Sequence, residues 1–516
     1  MTAGEGHISE NSRRIAKNTV FLYFRMLLTM AITLYTSRVV LAVLGIEDFG
    51  IYDVVSSVVT MFAFLNSSMV TSTQRYITIA IGKDDRGEAS RVFNNAVRIH
   101  LLIGLVVIIL CETVGLWFLE NKLVIPEERM AAARWVFQLS LLSFFINVTQ
   151  VPYNAVIIAH EKMDVFAYIS ILDVLLKLGI VFLLKVIPTD KLVAYAVLYF
   201  LATQIIRSLY RIYCLRNFEE CHRTATAKDG LFKGMLHFAG WNLFGSLAWM
   251  MRDQGVNILL NIFFGPVVNA ARGTAMKVST TVQGFVGNFS TAVNPQITKY
   301  YAQGRLDKME ELSYRGSRFS FLILFAIALP LMVTMDTVLG WWLVEVPEHT
   351  GIFLQFILID ALINAVFSNP LITSLMATGD IRNYQITVSA IMLLVVPAGY
   401  FLLKGGMPAS SVFALICLVS LVSGLARYQF CARQIGYHWG FFFKDVIVRV
   451  LGTAALAVPL PLLVRRCLGS GNGFVGFAAL CLIAVACVVL ASLAVGISRE
   501  ERAMLKAELT KKFRKR

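Results

Sequence analysis

The chain has 516 residues, of which 57% are hydrophobic and only 15% are Asp, Glu, Lys or Arg. Soluble domains contain about 25% charged residues, so this composition excludes a soluble globular protein and indicates a polytopic membrane protein. The net charge of +15 would suit a nucleic-acid-binding protein, but the basic residues flank long apolar runs instead of forming one patch. We therefore expect no nucleic-acid partner.

The first long apolar run covers residues 19–44 and follows Arg13, Arg14 and Lys17. The apolar region of a signal peptide has only about 7–15 residues, so this run predicts a retained transmembrane helix. Windows of about 20 residues predict about 14 such helices, and the runs are too long for transmembrane strands of about ten residues. The predicted spans are 18–42, 49–70, 97–119, 132–158, 166–187, 191–213, 237–263, 269–294, 318–342, 352–376, 384–403, 409–430, 445–464 and 473–497. The second, seventh and eighth are more polar than the others.

The basic residues are distributed unevenly between the two sides of these spans. If the N-terminus lies inside, the inner segments contain 33 Lys and Arg, the outer segments 8, and the spans themselves 6. Cytoplasmic loops carry the excess of positive charge, so both termini are predicted to be cytoplasmic. The basic tail has apolar residues at helical spacing, which favours a surface helix on anionic lipid.

Two parts of the chain repeat the same order of features. Around Gly45 and around Gly265 a helix ends in a Gly turn, and a hydroxyl-rich helix and a basic loop follow. An even number of spans in each repeat gives both the same orientation. We predict an all-α integral membrane fold of two pseudo-symmetric six-helix lobes plus two C-terminal helices. The predicted boundaries are 1–214 for the first lobe, 215–235 for a cytoplasmic inter-lobe loop, 236–430 for the second lobe, 431–497 for the two appended helices and 498–516 for the basic cytoplasmic tail.

The polar seventh and eighth spans carry ionisable groups at membrane depth. Arg252 and Asp253 lie in the seventh span, and Arg272 and Lys277 lie in the eighth. Each such group costs about 2.5–3.5 kcal/mol at the centre of a span, so it normally faces a partner or a water-filled cavity. At about 100° per residue, polar side chains of each span share a face, among them Asn242, Asn257, Gln283 and Asn288. An alternative is that the amides and hydroxyls only join helices.

Other spans contain isolated charges. Arg25 lies within the first span, where snorkelling to the inner headgroups is an alternative to a cavity role. Asp173 and Lys177 are spaced for an ion pair on one helix. Asp53, Asp253 and Asp360 are candidates for ion coupling, because a lone carboxyl in hydrocarbon tends to bind a proton.

Three segments carry a resemblance to a known family: KNTVFLYFRMLLTMAITLYTSRVVLAVLGIEDFGIYDVVSSVV, VPYNAVIIAHEKMDVFAYISILD and FAGWNLFGSLAWMMRDQGVNILLNIFFGPVVNAARG. The chain resembles the multidrug/oligosaccharidyl-lipid/polysaccharide exporter superfamily over about residues 15–500. Within it, the chain is similar to the bacterial flippases for O-antigen and capsule repeat units. No short catalytic signature defines this superfamily, so the resemblance rests on the arrangement of the spans and on the three segments quoted above.

The resemblance implies a flippase that moves undecaprenyl-pyrophosphate-linked oligosaccharide from the inner to the outer leaflet by alternating access. It also implies the bacterial inner membrane as location, membrane lipids as surroundings, and polysaccharide polymerase and glycosyltransferases as candidate partners. A diphosphate needs cations in a cavity of low dielectric constant. We therefore expect Arg25, Arg252, Arg272 and Lys277 to hold the pyrophosphate. We expect Asn242, Asn257, Gln283 and Asn288 to face the sugar.

Two other functions compete with this interpretation. One is a multidrug/cation antiporter of the same fold, and the other is a transport-inactive scaffold that recruits glycosyltransferases. A cavity for cationic drugs should be acidic or aromatic, whereas the charges here favour an anion. The sequence contains none of the Walker-A, HExxH or GxSxG motifs, so we expect a transporter without a cofactor or metal, not an enzyme.

Overall fold

The computed structural model describes most of the chain. The described residues are 20–33, 35–36, 39–40, 43–45, 48, 51–52, 55–56, 59, 63–121, 125–222, 230–264, 266–342, 346–367, 369–468, 473–498 and 501–503. They form helices and short connections and contain no strand. The predicted all-α class is confirmed.

Nineteen helices are labelled in chain order within this part of the chain. The first five are α1 Val20–Thr33, α2 Ala63–Gly82, α3 Arg86–Leu110, α4 Leu116–Asn121 and α5 Glu127–Ala159. The next five are α6 Met163–Val186, α7 Lys191–Asn217, α8 Leu231–Phe264, α9 Pro266–Ala302 and α10 Leu306–Trp342. The remainder are α11 Thr350–Phe367, α12 Asn369–Thr378, α13 Arg382–Leu393, α14 Val395–Lys404, α15 Ser410–Ile435, α16 Trp439–Phe442, α17 Val448–Ala457, α18 Pro459–Leu468 and α19 Phe474–Ala491.

Ten helical segments in the described residues are long and apolar enough to cross a membrane. They coincide with the predicted third to sixth and ninth to fourteenth spans. The helices α8 and α9 are longer than most of these, yet they are not among the ten, because polar residues interrupt their apolar runs. The predicted seventh and eighth spans are therefore long helices that contain more polar residues than the other spans.

The chain divides into two compact units, Met1–Ser246 and Leu247–Arg516, called unit 1 and unit 2 below. In unit 1, α5 packs against α2, α3 and α7, and α6 packs against α7. Its interior includes Ile77, Phe93 and Val156, all nearly inaccessible. The division lies within α8, after the predicted inter-lobe loop 215–235. The predicted lobe and tail boundaries remain a prediction.

In unit 2, α10 packs against α9, α11 and α19, and α11 packs against α15. Glycine permits one close crossing, since a Cβ atom at Gly424 of α15 would lie 2.6 Å from the Cβ of Phe367 on α11. A second lies between α8 and α14, where a Cβ at Gly255 would be 2.6 Å from a methyl of Val396. Small residues at such crossings let transmembrane helices approach closely. These contacts set the positions of the charged residues on α8, α11 and α15.

Candidate functional site

A cavity of about 440 Å³ lies inside unit 2, and five ionisable side chains of the unit line it. Its volume is within the usual range of about 300–1,000 Å³ for ligand pockets. The charged lining residues are Arg252, Asp253, Arg272, Asp360 and Arg427. Three guanidinium groups and two carboxylates give the lining one more positive than negative charge. Apolar side chains complete the wall, including the aromatic rings of Trp249, Phe356 and Phe413.

Arg272 is held at one end of the cavity by α8. Its Nη2 donates to the Asp253 carboxylate and, at 3.2 Å, to the Asp253 backbone oxygen. Its Nη1 lies 3.3 Å from the side-chain oxygen of Asn257. The same oxygen accepts a hydrogen bond of 2.8 Å from the Asn269 amide. Residues of both helices thus fix the plane of one guanidinium, and this preorganised plane suits an oxyanion that approaches from the cavity.

Asp360 of α11 is the second carboxylate of the cavity. It interacts electrostatically with Arg252 of α8 and Arg427 of α15, and both arginines are more than nine-tenths buried. One Asp360 carboxylate oxygen is buried and has no hydrogen-bond partner. Buried charges are normally paired and fully hydrogen-bonded, so this wall retains an acceptor that a proton or a ligand donor would satisfy.

The structure brings together five of the eleven residues predicted from sequence: Arg252, Arg272, Gln283, Asp253 and Asp360. Gln283 donates to the Ser279 hydroxyl at 2.9 Å. Asn257 lies behind Arg272 and positions it, without lining the cavity itself.

Three of the remaining predicted residues lie away from the cavity. Lys277 is exposed and does not line the cavity. Asn288 is buried and donates to the Gly284 carbonyl at 3.0 Å, within its own helix. Asn242 is buried in the part of α8 that belongs to unit 1. Asp53 lies outside the described residues.

Arg25 belongs to unit 1 as well. Its guanidinium carbon lies 4.9 Å from the centroid of the Phe166 ring, a cation–π arrangement. The predicted ion pair between Asp173 and Lys177 is confirmed, with 2.8 Å between the carboxylate and the ammonium group.

Sequence reasoning missed Arg427 as a site residue. It lies near the end of the predicted span 409–430, and the count of basic residues includes it among the 33 Lys and Arg of the inner segments. The helix α15 continues to Ile435, so Arg427 is inside the helix and only 4% exposed. One sequence feature indicates that Arg427 lies inside the helix. Arg427 comes about two turns before Gly436, and glycine often ends a helix in the left-handed conformation that Gly436 adopts, with φ +88°.

The described residues contain no group of three or more His, Cys, Asp or Glu side chains arranged to hold a metal ion. Guanidinium groups recognise phosphate and carboxylate oxygens with paired hydrogen bonds. The carboxylates can accept protons or pair with cations.

Comparison with known proteins identifies the family of the chain. The family described as "Polysaccharide biosynthesis protein" matches residues 15–301, which is more than half of the chain. A curated relative, described as the uncharacterized membrane protein EpsK of Bacillus subtilis, is 18% identical over 301 residues. That alignment spans 58% of this chain and 59% of the relative's length.

Solved structures share the fold at low identity. A multidrug and toxin extrusion type (MATE) transporter in its bent conformation has a TM-score of 0.72 and 14% identity, covering 84% of this chain and 98% of that one. A transporter of the MOP superfamily from Pyrococcus furiosus, described as having a binding pocket of reverse polarity, has a TM-score of 0.69 and 13% identity over 82% of this chain and 96% of that one. A mutant of the Vibrio cholerae MATE transporter VcmN has a TM-score of 0.68 and 16% identity over 82% and 98%.

The sequence match extends over most of unit 1 and into α9, and the structural matches extend over more than four-fifths of the chain. Ten apolar spans in the described residues make the chain a multi-pass membrane protein. The chain belongs to the polysaccharide biosynthesis protein family, and it shares its fold with solved structures of the MATE family and the MOP superfamily.

Proposed function

We propose that this transporter is a flippase for undecaprenyl-pyrophosphate-linked oligosaccharide repeat units. It moves them from the inner to the outer leaflet of the bacterial inner membrane by alternating access. The finished glycan is then available for O-antigen or capsule assembly, with polysaccharide polymerase and glycosyltransferases as candidate partners. The lipid tail stays in the bilayer, so the protein has to accommodate the diphosphate and the sugars.

One observation carries the proposal: three guanidinium groups and two carboxylates line a single cavity in unit 2. The excess of positive charge favours an anionic group over a cationic drug. Burial strengthens the attraction, because charges interact more strongly away from bulk water. Arg252, Arg272 and Arg427 are the proposed pyrophosphate ligands. Arg25 and Lys277 do not line this cavity and remain predictions from the sequence.

The carboxylates give the proposed cycle a coupling step. Asp253 neutralises Arg272 in this conformation, and Asp360 faces two other arginines. An incoming diphosphate competes with these carboxylates for the guanidinium groups. Binding of the anion is therefore coupled to the release of a carboxylate from its arginine. Gln283 lines the cavity and is the proposed amide for the sugars. Asn242, Asn257 and Asn288 do not line it and remain predictions from the sequence.

The proposed location has its own test. Both termini lie in the cytoplasm because the predicted inner segments carry about four times as many Lys and Arg as the outer ones. Reporter fusions at residue 516 and in the predicted outer loop 185–191 should give cytoplasmic and external signals, respectively. The opposite pattern would reverse the orientation of the proposed transport.

Complementation tests the function. A strain that lacks the gene receives wild type, Arg272→Ala or Arg433→Ala, where Arg433 is an exposed arginine in the last turn of α15. Wild type and Arg433→Ala should restore surface polysaccharide. Arg272→Ala should insert normally yet accumulate lipid-linked precursor in the inner leaflet.

Export by Arg272→Ala at the wild-type rate would overturn the assignment of the cavity. If wild type restores no polysaccharide but confers resistance to cationic dyes, the protein is a multidrug/cation antiporter of the same fold. If the cavity variants and wild type restore polysaccharide equally and only changes in the basic loops abolish it, the protein is a scaffold.

A further inference from the structure

A second polar cavity lies inside unit 1, between α5, α6 and α7. Its volume is about 230 Å³. A water molecule occupies about 30 Å³ in the liquid, so the space is too large for one water molecule or one ion. It is smaller than the usual pocket for a drug-sized ligand, about 300 Å³ or more. This range fits a ligand the size of one monosaccharide.

The two charged residues that line this cavity pair with each other. Asp173 and Lys177 both line it and bond to each other at 2.8 Å. The Lys177 ammonium also lies 5.1 Å from the centroid of the Tyr199 ring, and the Arg25 guanidinium lies over the lining Phe166 ring. Because the pair satisfies both of its charges, the amides and hydroxyl groups of the lining are the groups offered to a ligand, and such groups suit a neutral polar molecule.

Gln150 supplies an unsatisfied acceptor. Its side chain lines the cavity, and the residue is only 8% exposed. Its amide nitrogen lies 3.4 Å from the Asn154 side-chain oxygen, whereas its own side-chain oxygen is buried and has no hydrogen-bond partner. Buried polar atoms are nearly always hydrogen-bonded, so a ligand that donates a hydrogen bond would complete this site. The Asn147 and Asn154 amides line the same space.

We propose that this cavity binds one neutral monosaccharide unit of the transported glycan. A sugar hydroxyl both donates and accepts, so it can bond to the Gln150 oxygen and to the neighbouring amides at the same time. The assignment rests on the proposed function, since it names a glycan subsite of the same transporter. It adds a site in unit 1 that is separate from the charged cavity of unit 2.

Binding of free glycosides tests this subsite without requiring transport. The full-length protein in nanodiscs is titrated with methyl glycosides of glucose, galactose, mannose and N-acetylglucosamine, and saturation-transfer NMR reports binding. At least one glycoside should bind saturably to wild type. Gln150→Leu should weaken that binding at least tenfold, because it removes the hydrogen-bonding amide but preserves much of the volume. The matched control is Gln204→Leu, an exposed glutamine on α7, which should bind like wild type.

Three outcomes would overturn the subsite. They are the absence of saturable binding by every glycoside, equal binding by Gln150→Leu and wild type, and a heat of binding for Na⁺ with no response to glycosides. Failure of the proposed function has a different signature. In that case Arg272→Ala exports normally, while the glycoside still binds and still depends on Gln150.

Discussion

The Arg272 guanidinium on α9 bonds both the carboxylate and the backbone carbonyl of Asp253 on α8, 19 positions earlier in the chain. The helix α8 ends at Phe264 and α9 begins at Pro266. The contact therefore holds the two helices together near the point where one follows the other. The Asp253 carboxylate is thus an internal anion that already accepts a hydrogen bond from the Arg272 guanidinium in this conformation. Any external anion has to compete with Asp253 for the same donors.

Asp253→Asn should therefore strengthen anion binding. The substitution preserves the shape and one acceptor oxygen but removes the competing charge. We expect inorganic pyrophosphate to bind about tenfold more tightly, which corresponds to about 1.4 kcal/mol, as measured by calorimetry on the purified protein. Asp307→Asn, an exposed change in the first turn of α10, alters the net charge equally and should leave binding unchanged. Weaker or equal binding by Asp253→Asn would mean that Arg272 is not an anion ligand.

Arg427 should contribute to the same binding although α15 is remote in sequence from α8 and α9. It lines the cavity with Arg252 and Arg272, and it donates a hydrogen bond to the Tyr384 hydroxyl oxygen. Arg427→Gln should weaken pyrophosphate binding by at least tenfold, because a hydrogen bond to a charged group contributes about 1.5–3 kcal/mol. Arg433→Gln provides the exposed comparison on the same helix. If Arg427→Gln lowers the melting temperature but leaves binding unchanged, Arg427 only supports the fold.

The sequence predicts local relationships well and distant ones poorly. The ten apolar spans follow from composition within single segments, and the Asp173–Lys177 pair follows from a spacing of four residues on one helix. The grouping of Asp360 with Arg252 and Arg427 depends on the packing of α8, α11 and α15. Hydropathy contains no information about which helices are neighbours. For the same reason, the sequence did not predict that Lys277 lies outside the cavity that Arg272 lines.

A contact outside the spans predicts acid-sensitive local stability in unit 1. The His160 ring stacks on Phe218 with 4.3 Å between centroids and contacts the Glu220 carboxylate. Burial is the largest single influence and raises the pKa of Glu220. The hydrogen bonds with His160 and the backbone, together with the charges of His160 and Arg86, outweigh it and hold this pKa below the ordinary value of 4.5. A carboxyl with a lowered pKa in the folded state stabilises that state fully above the unfolded value. The contribution is lost as pH falls through the lower folded value.

Glu220→Gln should therefore loosen residues 218–222 at neutral pH. We expect hydrogen exchange there to become about tenfold faster, since hydrogen bonds to charged groups contribute about 1.5–3 kcal/mol. After correction for intrinsic exchange, the difference from wild type should shrink as pH falls below about 4.5. Glu219→Gln is the comparison, because Glu219 and its partner Arg86 are both exposed. A difference that persists unchanged at low pH would mean that packing, not charge, holds this turn.

A buried ion pair connects the start of the C-terminal tail to α10. Glu501 is 8% exposed and contacts Arg318, which is 3% exposed, while Arg315 lies 3.5 Å from the same carboxylate oxygen. The other carboxylate oxygen accepts from the Ser498 backbone at 2.7 Å, and the Ser498 hydroxyl accepts from the Glu501 backbone at 3.2 Å. This reciprocal arrangement is a capping box. One carboxylate thus both caps the helical turn at residues 501–503 and neutralises a buried arginine.

Glu501→Gln should destabilise unit 2 by about 3 kcal/mol, because removing one member of a buried ion pair leaves the other charge uncompensated. Unfolding in denaturant, followed by tryptophan fluorescence, measures the loss. Glu311→Gln removes the exposed partner of Arg315 and should cost less than about 1 kcal/mol. The double change Glu501→Leu with Arg318→Met should recover most of the loss, since replacing both charges by apolar groups removes the need for compensation. Equal losses for Glu501→Gln and Glu311→Gln would show that the Arg318 pair does not stabilise the docked tail.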